Sequence, residues 1–111
     1  LKMSCIDLAR SLQLRADRGK CPSSGEQVTS IERARRTNAV MMTCGTYDAA
    51  GEFAFHVGLP AKSGVGGGIV AVVPHVLNLC VWSPGLDDKG NSQLGAYALH
   101  RFTRMTGLSV F

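Results

Sequence analysis

The run LPAKSGVGGGIVAVVP (residues 59–74) decides how this chain is read. Lys62, Ser63 and Gly64 stand side by side, a second cluster of glycines follows, and then an apolar, β-branched segment leads to Pro74. Three uses of such a run compete: a phosphate cradle, a flexible linker, or a strand edge that walls a cleft. A Walker loop carries its lysine after the glycines and opens a helix. Here Lys62 comes first and a strand follows, so no helix amino terminus faces an anion. The dinucleotide pattern G-x-G-x-x-G matches at Gly64 and Gly66 but fails at Ile69. A linker is excluded by the apolar strand segments that flank the run closely. A strand edge remains. There a lysine supplies positive potential, a hydroxyl can donate to a carboxylate, and glycine leaves room for close approach. A K-S-G triplet alone arises often by chance, and a tight strand-end turn with an exposed lysine fits it as well.

Working outward, residues 69–73 predict a buried strand, and residues 77–82 its hairpin partner across Pro74, His75 and Val76. The block SPGLDDKGN (residues 83–91) cannot continue a strand, and Asp87 and Asp88 are spaced for a turn. Asn91 or Ser92 caps a last helix with Leu94, Ala98, Phe102 and Met105 along one side, closed by Gly107. Upstream, Ile6, Ala9, Leu12 and Ala16 form the stripe of a first helix that stops near Gly19. CPSSGE (residues 21–26) is turn chemistry. Thr29 and Glu32 are spaced as a capping box for a second helix that runs through Met42, with Gly45 as its left-handed stop. GTYDAAGEF (residues 45–53) reads as a loop with a short helical turn. Three short strands with helices before and after give an α/β or α+β layer.

The 111 residues make one domain. Hydrophobic residues are 45% of the chain, enough for a core, and charged residues 18%. The net charge of +4 is uneven, because the first third is rich in lysine and arginine. Those charges lie scattered over helices without interleaved aromatics, which fits a solvated face and not a nucleic-acid surface. Cys5, Cys21, Cys44 and Cys80 are widely spaced, with no C-x-x-C pair for zinc or a disulfide framework. They read as reduced, packed thiols of an intracellular protein. No apolar run approaches the roughly 20 residues of a membrane span. His56 sits between Phe55 and Val57 and reads as a packed histidine. His75 falls in a turn and His100 on the last helix, without partners for metal or triad chemistry. No metal or cofactor is implied.

The text around the triplet carries a further signal. In penicillin-recognising serine hydrolases K-[ST]-G lines the cleft opposite an S-x-x-K nucleophile. CGTYDAAGEFAFHVGLPAKSGVGGGIVAVVP followed by WSPGLDDKGNS closely resembles the glutaminase family, strongly over residues 44–93 and more loosely over the helices on either side. The resemblance implies the fold of serine β-lactamases and transpeptidases, with the chain as the carboxy-terminal part of the catalytic domain. It implies hydrolysis of L-glutamine to L-glutamate and ammonia through a glutamyl-serine ester. None of the serines from Ser4 to Ser109 has a lysine three places on. The nucleophile is therefore expected upstream, and the 111 residues alone are expected to be inactive.

Two positions carry over from the family. Tyr47, in C-G-T-Y-D, corresponds to a tyrosine of the substrate pocket, where a phenol can relay a proton. Val65 corresponds to the residue whose backbone amide binds the substrate carbonyl, a contact worth about 3–4 kcal/mol in the transition state. Lys62, Ser63 and Gly64 are secondary candidates that shape the pocket. The resemblance further implies a homo-oligomer, dimer or tetramer, at full length. It places the protein in the cytoplasm if bacterial and the mitochondrion if eukaryotic. Two other readings stay open: another serine acyl hydrolase of this fold, and a non-catalytic interaction module.

Overall fold

The computed structural model describes residues 2–111. The first helix divides at Leu12 into α1 (Cys5–Ser11) and α2 (Gln13–Ala16). Ser11 lies at the break, and its hydroxyl donates to the Leu8 carbonyl at 2.7 Å, a local bond that competes with the helical ladder. The amino end of α1 is a capping box. Ser4 Oγ accepts the Asp7 N–H at 3.1 Å, and the Asp7 carboxylate accepts the Ser4 N–H at 3.0 Å. That backbone bond, helped by the Ser4 hydroxyl, lowers the Asp7 pKa.

Helix α3 (Ile31–Cys44) begins one residue later than the sequence suggests. Ser30, not Thr29, is the cap, accepting the Arg33 N–H at 3.2 Å, and Glu32 pairs instead with Arg36 at 2.6 Å. Gly45 ends α3 in right-handed conformation, with φ −74°, so the left-handed stop is not formed. Glycine is needed there for a different reason. A β-carbon at Gly45 would lie 1.7 Å from the Ala61 carbonyl oxygen. That close approach lets the Gly45 carbonyl accept the Ser63 N–H at 2.9 Å, docking the helix end on the sheet.

The expected loop after Gly45 is mostly helical: a 3-10 turn (Tyr47–Ala49) runs into α4 (Ala50–His56). Helix α4 forms because Ala50 and Phe53 bury one side of it. The sheet has order β1-β2-β3, all antiparallel: β1 (Ala61–Ser63), β2 (Gly68–Val73) and β3 (Leu77–Trp82). Ile69, Ala71 and Val73 alternate onto one face and pack with Phe53, Val57 and Leu59 and with Leu99 of α5 (Gln93–Thr106). Leu59, Ile69 and Leu99 are almost fully buried, and each such side chain contributes about 1.5–3 kcal/mol.

Ser92 caps α5 and Gly107 closes it at φ 70°, both as expected. The buried side of α5 is not the expected one. Gly95, Leu99 and Thr103 face inward, whereas Leu94 and Met105 are exposed. The small residues let the helix lie close to β3, where a β-carbon on Gly95 would already meet Val81 at 3.2 Å. The result is an α+β layer.

Candidate functional site

The Lys62-Ser63-Gly64 triplet lies at the end of β1, where Ser63 pairs with Ile69 as the last rung of the ladder. Beyond it the chain reverses tightly. The Gly64 N–H donates to the Gly68 carbonyl at 2.9 Å, and the Gly67 N–H to the Gly64 carbonyl at 3.0 Å. The turn is also tied from behind. Trp82 Nε1–H donates to the Gly66 carbonyl at 2.8 Å, and the Ser83 N–H to the Gly67 carbonyl at 2.9 Å. Gly67 has φ +92°, and a β-carbon there would meet the Ser83 oxygen at 2.4 Å, so only glycine fits. These bonds engage the Gly64 and Gly67 amides and leave those of Val65 and Gly66, at the tip, free. Among the described residues no acceptor takes the Val65 N–H, and the Val65 side chain is 72% exposed.

Tyr47 opens the 3-10 turn with left-handed backbone, φ 55°, an unusual conformation for a bulky residue. Its hydroxyl donates to the Ser63 carbonyl at 3.1 Å. The Lys62 ammonium donates to the same carbonyl and lies 4.7 Å from the centroid of the Tyr47 ring. A cation over an aromatic face is attracted by its quadrupole. Tyr47 and Val65 meet across Gly90: the ring lies 3.8 Å, and a Val65 methyl 3.9 Å, from where a Gly90 β-carbon would be.

Tyr47, Lys62 and the tip carrying Val65 are thus brought together, and Gly64 is the residue at which the chain leaves β1 for that tip. Ser63 is not part of the open surface. It is 1% exposed, and its Oγ has no partner among the described residues, so the hydroxyl faces the interior and cannot donate to a bound carboxylate. The arrangement offers a free amide donor, a phenol and an ammonium, but no nucleophile with an adjacent base.

The family model for glutaminase matches residues 1–111. The chain belongs to the glutaminase family. It is 59% identical over all 111 residues to a glutaminase of Rhizobium johnstonii, of which it covers 36%. With a Streptomyces coelicolor glutaminase the identity is 60% over 108 residues, covering 97% of this chain and 35% of that one. Among solved structures it resembles a Bacillus subtilis glutaminase in covalent complex with 5-oxo-L-norleucine, formed by reaction with 6-diazo-5-oxo-L-norleucine. That similarity has a TM-score of 0.93 at 36% identity and covers 98% of this chain and 40% of that one. The chain therefore spans little more than a third of the length of the curated relatives it matches. Its fold is the corresponding portion of the β-lactamase-like glutaminase architecture.

Outside this cluster, several expectations need revision. His56 is exposed, not packed; its ring stacks edge-on to Phe55 and lies 5.7 Å from that of His100. The thiols are all unbridged, but Cys5 and Cys44 are exposed and only Cys21 and Cys80 are half-buried. Among the described residues no group of three His, Cys, Asp or Glu side chains is placed to hold a metal ion, and no helix is long and apolar enough to cross a membrane.

The turn of residues 87–91 forms as read, and it holds Asn91, which the sequence offered only as an alternative helix cap. Asp87 Oδ1 accepts the backbone N–H of Lys89 at 3.0 Å and of Asn91 at 2.9 Å. Lys89 reaches Glu52 of α4 at 2.9 Å, a hydrogen bond that holds the Glu52 carboxyl below its usual range. Asn91 is 2% exposed, and its Nδ2 donates to the Thr46 carbonyl at 3.1 Å. Nothing in the string DDKGNS announces that this asparagine is buried.

Proposed function

We propose that these residues form one wall of a glutaminase active site and belong to the carboxy-terminal part of its catalytic domain. The reaction is hydrolysis of L-glutamine. A serine from outside this chain attacks the side-chain carbonyl, ammonia leaves, and water cleaves the glutamyl ester to L-glutamate. The observation that carries this reading is the unpaired Val65 amide, held at the tip of a rigid turn beside the Tyr47 phenol.

An amide fixed in place before reaction can stabilise the oxyanion of a tetrahedral intermediate without reorganisation. The Tyr47 hydroxyl donates a hydrogen bond to the Ser63 carbonyl, which leaves the phenol oxygen free to accept from a substrate amine or a nucleophilic hydroxyl. Lys62 keeps the surroundings positive, favouring negative charge on the reacting oxygen. The Bacillus subtilis complex supports the substrate class, because the keto group of its ligand corresponds chemically to the side-chain carbonyl of glutamine.

Glutamine hydrolysis by the intact gene product, read as ammonia release, is the direct test. Tyr47→Phe is expected to lower kcat by about 10²–10⁴-fold, the range for a positioned proton-transfer group. Val65→Pro, which deletes the amide hydrogen, is expected to lower it by about 10²–10³-fold. Full turnover in both variants would remove the two residues from the mechanism. The bacterial relatives favour a cytoplasmic setting over a mitochondrial one. Assembly of the intact protein as a homo-oligomer is the remaining part of the proposal, checked by light scattering.

A further inference from the structure

Tyr47 poses a structural problem that its own hydrogen bond does not solve. A tyrosine at φ 55° sits in a backbone region that side chains other than glycine, asparagine and aspartate rarely occupy, and such conformations persist only when their surroundings enforce them. The phenol end is fixed by Ser63. The backbone end is fixed by the turn of residues 87–91. Asp87 accepts the N–H of Asn91, which seats that residue, and the Asn91 amide donates to the carbonyl of Thr46, the residue directly before Tyr47. Gly90 of the same turn lies against the Tyr47 ring. Lys89 ties the turn to α4, the helix that continues from Tyr47.

The Asn91 side chain is costly to keep where it is. Its Oδ1 is buried with no partner among the described residues, and an unpaired buried acceptor destabilises a fold. An apolar residue of similar size would fill the space without that penalty. The donor end is therefore the useful end, and its one bond is to the Thr46 carbonyl. Thr46 is itself 2% exposed, and its carbonyl also accepts the Ala49 N–H of the 3-10 turn at 3.2 Å, so the Asn91 amide adds a second, long-range donor to it.

We propose that Asn91 is a positioning residue for Tyr47. Its buried amide, seated by Asp87, clamps the Thr46 carbonyl and so holds the left-handed backbone from which the phenol reaches the catalytic turn. This rests on the role given to Tyr47 above. Asn91 does not touch the substrate; it acts through Tyr47 alone.

The experiment is a double-mutant cycle on the intact gene product, with glutamine hydrolysis as the readout. Asn91→Leu keeps the approximate volume and removes the donor without burying an ionisable group. It is expected to lower kcat by about 10–100-fold with little change in KM, the scale for a reacting group moved by a fraction of an ångström to an ångström. In a Tyr47→Phe background the same change should cost little more, because the group it positions is already gone. If Asn91→Leu does not fold, Asp87→Ala, which frees the Asn91 N–H at a more exposed site, is put through the same cycle with the same expectation. Three results overturn the proposal: unchanged kcat in the single variant, a loss confined to KM, or losses that multiply fully in the double variant. Should Tyr47→Phe alone keep full turnover, the role of Tyr47 fails first. That outcome is distinguishable, since it needs no Asn91 variant to be seen.

Discussion

Two regions of this chain are built on different principles. Residues 4–30 form two short helices and turns held chiefly by local bonds; no residue of α1 is buried, and Ala16 is the buried residue of α2. Residues 44–93 are held by bonds between positions far apart in sequence. Gly45 meets Ser63, Tyr47 meets Ser63, Thr46 meets Asn91, and Gly66 and Gly67 meet Trp82 and Ser83. Several of those bonds lie in the interior, where a lost partner leaves an unsatisfied group. The proposed site thus sits where the chain is most over-determined, as a preorganised donor set requires.

Two pairs of variants and one pair of thiols in the intact protein would break or sharpen that contrast. The largest difference is expected in the core. Leu59→Ala removes a fully buried side chain and should cost about 2–5 kcal/mol. Ile6→Ala, at a 63% exposed position of α1, should stay within about 0.5 kcal/mol. Chemical denaturation of both variants measures the difference, and equal losses would mean that α1 is as firmly embedded as the sheet.

Helix caps give the next largest effect. Ser4 and Ser92 have the same role, but Ser92 is fully buried and its hydroxyl also donates to the Ser83 carbonyl at 2.9 Å. Ser92→Ala should fall near the upper end of the capping range of about 0.5–2 kcal/mol, and Ser4→Ala near its lower end. Melting temperatures in the reverse order would contradict the ranking of the two regions.

The smallest effect leaves stability untouched. The Ser23 hydroxyl, with Ser24, stabilises the Cys21 thiolate and lowers that thiol to about 7. Burial, with the neighbouring Cys5, pushes Cys80 up to about 11. Since the thiolate is the reactive form, alkylation of Cys21 should rise with pH to half its maximum near 7 and fall away below it. Cys80 should stay protonated and slow through pH 9. Mass-spectrometric mapping across that range checks both, and equal labelling at pH 8 would show that the two environments do not differ.

Much of the fold was legible because it depends on local chemistry. The hairpin of β2 and β3 follows from a β-branched run and a turn around Pro74, and the Gly107 stop from left-handed glycine. Errors arose where two neighbours offer the same group or where partners are distant. Thr29 and Ser30 both carry a cap hydroxyl, and it is Ser30 whose oxygen takes the Arg33 N–H. Leu94 and Met105 have the right spacing for a core face, but close approach to β3 favoured Gly95. Helix α4 was hidden by Gly51 and by a loop-like composition, and is made by the burial of Phe53. At the site, the strand-edge position of Lys62 and Gly64 was readable. The burial of Ser63 and Asn91 was not, because nothing in their own sequence context marks a polar side chain as interior.

Trp82 is the chain's single tryptophan, and its indole hydrogen rests on the carbonyl of Gly66, next to Val65. The molecule accordingly carries an intrinsic optical probe wired to the turn. Any ligand that engages the neighbouring amide should perturb indole emission, giving a titration signal independent of turnover. A spectrum that stays constant at saturating ligand would indicate that occupancy leaves that loop unmoved.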